Sequence, residues 1–453
     1  MKKYTRKQFI KLSSAAGVAF FLNACGLNTN EKKQKEDADY VSSDTNEKIV
    51  SKQNTQLQFD LVDKNDERYQ ELRKGFNKRI NKFIALCHST QAVADAIKYA
   101  NENKLAIAVK SGGHSMEGFS CNDGGIVINL SKMNKIEMLD DNKIKVGPGC
   151  TLAHLYDFIL PQGRILPAGS CATVGLGGLT LGGGYGLFSR KYGLTCDHLV
   201  EATMVDGKGN IISTKDDAEL LWALKGGGAG NFGVVTEMIF NTHPAPDSMQ
   251  AHYFKARKLS ARRAATILQT WMELAPQLPA SCFSGYVLNG STLNIVITNY
   301  EVNNKQLQSQ LDKLVSVMDD FRSSRIGKLS VMLKNHYGSI KPLYFRNSSA
   351  GLFKTYDDVL PFINQVFEKV ISTPGMIYQV STLGGKVNDA EFEKTSSFPH
   401  RAFDFVTELQ AYWENPSQNK RLAEATTEIL KVGERNGVTR QYVNYCSLEF
   451  NDW

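Results

Sequence analysis

No apolar run in the 453-residue sequence reaches the roughly 18–20 residues that a membrane-spanning helix needs, so an integral membrane protein is not expected. No two of the eight cysteines (positions 25, 87, 121, 150, 171, 196, 282 and 446) form C-x-x-C, and no cluster has zinc-ligand spacing. In a chain this long they do not read as a disulfide framework; most read as buried thiols. The patterns G-x-x-x-x-G-K-[ST], H-E-x-x-H and G-x-S-x-G are absent, which removes the P-loop, the zinc-peptidase helix and the hydrolase elbow. Excess charge is scarce as well. The net charge is +7, but residues 1–24 carry five positives (Lys2, Lys3, Arg6, Lys7, Lys11) and no acid, and removing them leaves +2. That is too little to argue for nucleic acid, and the short mixed basic runs that remain read as solvated surface. No internal repeat is found. What is present is 42% apolar and 22% charged residues, the texture of a globular chain with two or three domains.

The N-terminus differs from the rest. Met1 to Lys11 is basic, residues 12–24 (LSSAAGVAFFLNA) are a short apolar run, and Leu22-Asn23-Ala24-Cys25-Gly26 follows. These read as a secretory signal over 1–24 whose end resembles a bacterial lipobox, with Cys25 the lipidated residue. Thr5-Arg6-Lys7-Gln8-Phe9 resembles a twin-arginine signal with lysine in the second place, which leaves the export route open. Residues 25–58 are polar and read as a flexible tether, because they cannot bury enough apolar surface to offset the entropy of ordering. The expected location is extracytoplasmic, with the lipid anchor the only membrane contact.

From Phe59 the pattern is globular. Thr90 is expected to cap a helix over 91–103, with strands at 105–110, 126–130 and 143–146. A hairpin at 201–205 and 210–214 turns at Asp206-Gly207-Lys208-Gly209, and a helix over 217–224 precedes a strand at 233–241. Glycine density falls away at Pro244 and Pro246, which places a domain boundary near 245. Beyond it, helices at 260–275, 304–320, 357–371 and 416–436 are interleaved with a hairpin (282–288, Asn289-Gly290, 292–300) and strands at 376–383, 404–413 and 440–446. That order predicts an α+β architecture, with an antiparallel sheet covered by helices on one face.

Three glycine-bearing stretches could carry chemistry. Gly228-Ala229-Gly230-Asn231-Phe232-Gly233 matches G-x-G-x-x-G, but a helix precedes it and a strand follows, the reverse of a dinucleotide fold. Strand 105–110 runs into Ser111-Gly112-Gly113-His114-Ser115, where glycines after a strand let backbone N–H groups turn toward an anion. Alone, that stretch also reads as a tight turn with a surface histidine. Seven of the twelve residues 175–186 are glycine, and Val174, Leu176, Leu179 and Leu181 alternate with them. So much lost backbone entropy suits a chain lying flat on a planar ligand more than a polar linker.

SGGHS (111–115), PAGSCATVGLGGLTLGGGYG (167–186), RKYGLTCDHL (190–199) and GGGAGNFGVVT (226–236) together resemble the berberine bridge enzyme-like flavoproteins, within the vanillyl-alcohol-oxidase type of FAD-linked oxidases. The resemblance runs from about Phe76 to Trp453. It implies a PCMH-type FAD-binding domain of two α/β subdomains over 59–245 and a substrate domain over 246–453. It implies a bicovalent FAD, with His114 bonded to the flavin 8-methyl carbon and Cys171 to C6. Imidazole nitrogen and thiolate are fitting nucleophiles for an electrophilic ring. Cofactor contacts are implied for Lys110, Ser111, Gly112, Gly113, Ser115, Val174, Gly175, Gly178, Gly182, Gly183, Asp197, Gly230, Gly233 and Val235.

Val174 matches a position that gates oxygen, where valine goes with oxidase behaviour. Tyr185 matches an active-site tyrosine and Gln410 a substrate-facing polar position. Tyr442-Val443-Asn444-Tyr445 is similar to the family's Y-x-N-Y, which makes Tyr445 the expected base; a core tyrosine on a strand is the competing reading. A phenol with its ordinary pKa of about 10 needs a lowered value to act this way. Family members usually continue past Asn451-Asp452-Trp453 with an aromatic-rich extension packed on the flavin domain, so either a compensating contact replaces it or the protein is truncated and less stable, which bears on activity more than on fold. The implied reaction removes hydride from an alcohol or hemiacetal carbon, with a carbohydrate as the favoured small-molecule substrate and O2 as the electron acceptor. A dehydrogenase with another acceptor and a non-catalytic lipoprotein of the same fold are the alternatives.

Overall fold

In the computed structural model, residues 57–74, 79–302, 304–338 and 344–449 are described. The signal-like segment, Cys25 and residues 25–56 of the expected tether lie outside the described residues.

The first half is two small sheets. Ser89, rather than Thr90, caps the helix Thr90–Glu102 by accepting from the Ala92 N–H. The stripe of Val93, Ile97 and Ala100 is buried against Ile126 and Ile128. Strands Phe83–Leu86, Ile126–Asn129 and Ile107–Lys110 pair in parallel, with Asp60–Val62 antiparallel on the outer edge. A five-stranded antiparallel sheet follows: Ile136–Met138, Lys143–Val146, Val234–Asn241, Leu199–Val205 and Ile211–Ser213. The helix Ala218–Leu224 precedes the strand Val234–Asn241 around the G-x-G-x-x-G glycines, in the order expected.

The second half is built on a large antiparallel sheet. Its strands run in the order Asp320–Ser323, Ser248–Ala256, Thr292–Asn299, Cys282–Asn289, Met376–Thr382, Phe405–Trp413 and Tyr344–Phe353, and Gly327–Lys328 pairs with Ser248–Ala256. The helices Ala261–Leu274, Lys305–Val315, Ile363–Ser372 and Asn419–Arg435 cover one face, where Trp271, Tyr286, Phe367, Phe405 and Leu409 form a continuous core. The other face packs on the first half, so that Phe283, Val287 and Ile377 share a core with Leu176, Phe188 and Phe240.

Three expectations differ. Residues 440–446 form no strand; Val443–Tyr445 is a single 3-10 turn. The hairpin turns at Gly290-Ser291, because Asn289 pairs with Thr292. The stretch after Gly175, expected to lie flat on a planar ligand, is a short helix, Leu176–Leu181. Its leucines at 176 and 181 are buried, while a Cβ at Gly178 would meet no atom within 4 Å.

Candidate active site

The turn after Ile107–Lys110 meets the loop leading into Leu176–Leu181 backbone to backbone. A Cβ on Gly112 would lie 2.3 Å from the Gly175 nitrogen, and one on Gly175 would lie 2.2 Å from the Gly112 nitrogen. Only hydrogen fits at either position. Ser111 Oγ donates to the Pro148 carbonyl at 2.6 Å. The Val174 and Ala172 carbonyls accept from Leu152 and Ala153 at the start of the helix Leu152–Ile159, both at 3.0 Å. These contacts bring His114 beside the Cys171 loop: its Nε2 lies 2.8 Å from Thr173 Oγ1, two residues beyond the cysteine. Burial pulls the imidazole pKa down to about 4, so the ring is neutral at pH 7. The N–H groups of Gly112, Gly113 and Ser115 donate to no described residue. The Lys110 stem packs against Gly113, where a Cβ would lie 2.9 Å from its Cε, and its Nζ donates to the Leu72 carbonyl at 2.8 Å and also to that of Lys74.

Facing this loop pair is a polar band on the inner face of the large sheet. Side chains alternate along a strand, so Glu408, Gln410 and Tyr412 of Phe405–Trp413 lie on one face. Asn347 pairs with Gln410 across one edge and Gln379 with Glu408 across the other. Glu408 is buried and accepts from Asn347 Nδ2, and the nearby Gln410 amide also favours its charge. Desolvation dominates those hydrogen bonds and pushes its pKa up to about 7. Buried atoms at Asn347 Oδ1, Gln379 Oε1, Gln410 Oε1 and Tyr412 OH have no hydrogen-bond partner. Above the band, the Tyr185 and Tyr445 hydroxyls are 2.8 Å apart, and the Glu408 charge raises both phenols further after burial has already done so. Tyr442 completes the group: its hydroxyl accepts from the Gly184 N–H at 3.1 Å and from Asn444 Nδ2 at 3.0 Å. Asn444 leaves no room for a Cβ at Gly182, which would lie 2.2 Å from its Oδ1.

Residues 82–215 match the family model described as an FAD binding domain. Berberine bridge enzyme-like 12 of Arabidopsis thaliana is 30% identical over 392 residues, covering 79% of this chain and 73% of that protein. The chain belongs to the berberine bridge enzyme-like family. Within it, chitooligosaccharide oxidase of Gibberella zeae is 27% identical over 394 residues, 80% of this chain and 78% of that one. The glucooligosaccharide oxidase of Acremonium strictum, whose structure is described as revealing a novel flavinylation, has the same fold, with a TM-score of 0.75 at 22% identity over 86% of this chain and 88% of that one.

As a berberine bridge enzyme-like protein the chain is an FAD-linked oxidoreductase, and its glycine loops fit such a cofactor: donor-ready N–H groups beside a neutral imidazole. The residues singled out from sequence fall into two sets. His114, the Cys171 loop, Val174, Gly175, Gly178, Tyr185, Gln410 and Tyr445 gather around one region between the halves. Asp197 stands apart, gripped by Arg401 in a buried ion pair. Gly233 and Val235 belong to the five-stranded sheet, where a Cβ on Gly233 would strike the Val205 carbonyl at 2.4 Å. Gly183, at φ 108°, serves the tight turn behind Tyr185, and a Cβ there would strike the Phe398 ring. Gly230, at φ 84°, opens on empty space. Sequence reasoning missed Glu408, Asn347 and Gln379. The period-two spacing from Gln410 to Glu408 was the available signal for the first.

Proposed function

We propose that this protein oxidises a hydroxyl-bearing carbon of a carbohydrate, at an alcohol or hemiacetal, with FAD attached through His114 and Cys171 and O2 as the final acceptor. The observation that carries the reading is the buried carboxyl of Glu408 set among carboxamide oxygens that have no donor. A polyhydroxylated substrate supplies such donors, and a purely apolar one leaves them unpaired at a cost of about 1–3 kcal/mol each. Glu408, near 7, is matched to take a hydroxyl proton at neutral pH, whereas burial holds Tyr445 and Tyr185 well above it. The role of base expected for Tyr445 therefore passes to Glu408. Tyr445 and Tyr185, bonded to each other, stand beside the carboxyl, and Gln410 orients both the carboxylate and a substrate hydroxyl. The bound cofactor supplies the hydride acceptor, reoxidised by O2 to hydrogen peroxide. The neutral His114 ring supports attachment through the imidazole; Cys171 is disulfide-bonded in this structure, so its attachment to the flavin requires that disulfide to be reduced first. The basic-apolar segment ending at Cys25 supports anchoring at a membrane surface outside the cytoplasm.

The test combines colour and oxygen. After acid denaturation the yellow chromophore stays with the polypeptide; His114→Ala and Cys171→Ala each retain it, and the double variant releases it. With chitobiose, cellobiose or lactose, oxygen uptake matches peroxide formed. Dye reduction without oxygen uptake would point to a dehydrogenase, and a colourless protein inert to all three sugars would overturn the proposal.

A further inference from the structure

We infer that Asn347 is a positioning residue that sets the pH at which Glu408 can accept a proton. The inference rests on the reading of Glu408 as base and names a residue that no sequence motif marks. Asn347 comes from the edge strand Tyr344–Phe353, two-sidedly enclosed and 2% exposed, and its Nδ2 donates to Glu408 Oε1. Its own Oδ1 has no partner, so the amide is committed to the carboxyl on one side only. The hydrogen bond favours the charged carboxylate and works against the desolvation that favours the neutral acid. The Gln410 amide, two residues along the strand, favours the charged form in the same direction.

The groups facing Glu408 from other elements are few. Tyr185 reaches it from the turn after the helix Leu176–Leu181, Tyr445 from the 3-10 turn, and Tyr412 from its own strand; all three are phenols held neutral by burial. Gln379 faces it from Met376–Thr382 and does not titrate. No arginine, lysine or histidine among the described residues forms an ion pair with it. Among the described residues no cation pairs with the carboxylate, and Asn347, from a separate strand, supplies the hydrogen bond that holds its charge.

Infrared titration of the protonated carboxyl C=O band tests this on the purified, flavin-loaded protein and needs no substrate. The band should be absent in Glu408→Gln and should titrate near 7 in the unaltered protein. Asn347→Leu, which keeps volume and removes the donor, should move that midpoint upward by roughly one to two pH units, the equivalent of one hydrogen bond to a charged group. Asn347→Ser, which admits water, should move it less. An unchanged midpoint in either folded variant overturns the inference, and so does loss of the fold in both, since Asn347 would then act in packing alone. A band that persists in Glu408→Gln overturns the prior reading of Glu408 and is told apart from either result.

Discussion

A carboxyl group enclosed by amides and phenols carries its pKa as a stability term. The ordinary value for Glu408 is 4.5 and the folded value is about 7. The native state therefore binds the extra proton between those values, and stability is greatest below 4.5, falls as pH rises through 7, and is level above it. Glu408→Gln removes the buried charge. We expect its melting temperature to exceed that of the unaltered protein at pH 8, by the equivalent of roughly 2–3 kcal/mol, and to match it at pH 4. Sugar oxidation should drop by roughly 100-fold or more in the same variant, the usual worth of a general base. Equal melting temperatures at pH 8 would show that the carboxyl is solvated. Activity of the unaltered protein should rise with pH along a limb centred near 7.

At the scale of elements, the two glycine loops illustrate how a backbone contact specifies residues. Gly112 and Gly175 approach so closely that neither tolerates a methyl group, whereas Gly178 on the helix Leu176–Leu181 faces open space. Gly112→Ala should cost about 1–3 kcal/mol of stability through forced separation of the loops, together with loss of bound flavin. Gly178→Ala should leave the melting temperature equal or higher, because alanine is favoured over glycine in a helix by about 1 kcal/mol. Thermal unfolding of the two variants side by side decides it; an equal fall in both would deny the loop contact. The strands were legible where hydrophobic alternation had turn residues at both ends, as in Cys282–Asn289 and Thr292–Asn299. Ser248–Ala256 and Tyr344–Phe353 were not anticipated. The second is unusual in being polar on its inner face (Asn347, Ser349), because that face lines the site instead of a core.

At the scale of the molecule, the two halves are locked by the Asp197–Arg401 pair, whose side chains are 0% and 2% exposed. Arg401 also donates to the Val387 carbonyl at 2.9 Å and to Ser396 Oγ at 2.6 Å, and Asp197 accepts from the Leu194 N–H at 2.7 Å. Removing one partner leaves a buried charge unpaired. Arg401→Met should therefore destabilise the protein by about 3–5 kcal/mol, and Asp197→Leu combined with it should recover part of that loss. Denaturant unfolding reads both, and a double variant no better than the single would mean that the pair is not the source. The family motif around Asp197 thus serves the joint between halves.

What the sequence by itself determined is local. The glycine runs, the strand leading into SGGHS, the paired turns and the amphipathic helices are written in residues close together in the chain, because backbone preference and hydrophobic period act over a few residues. Tertiary structure alone decided which side chains meet. Tyr185 and Tyr445 bond across 260 positions, and Asn347 reaches Glu408 across 61. Such pairs depend on the register of distant strands and on how the halves dock. The protonation of Glu408 depends on them in turn, since burial and neighbouring donors, not residue type, set a carboxyl's affinity for its proton.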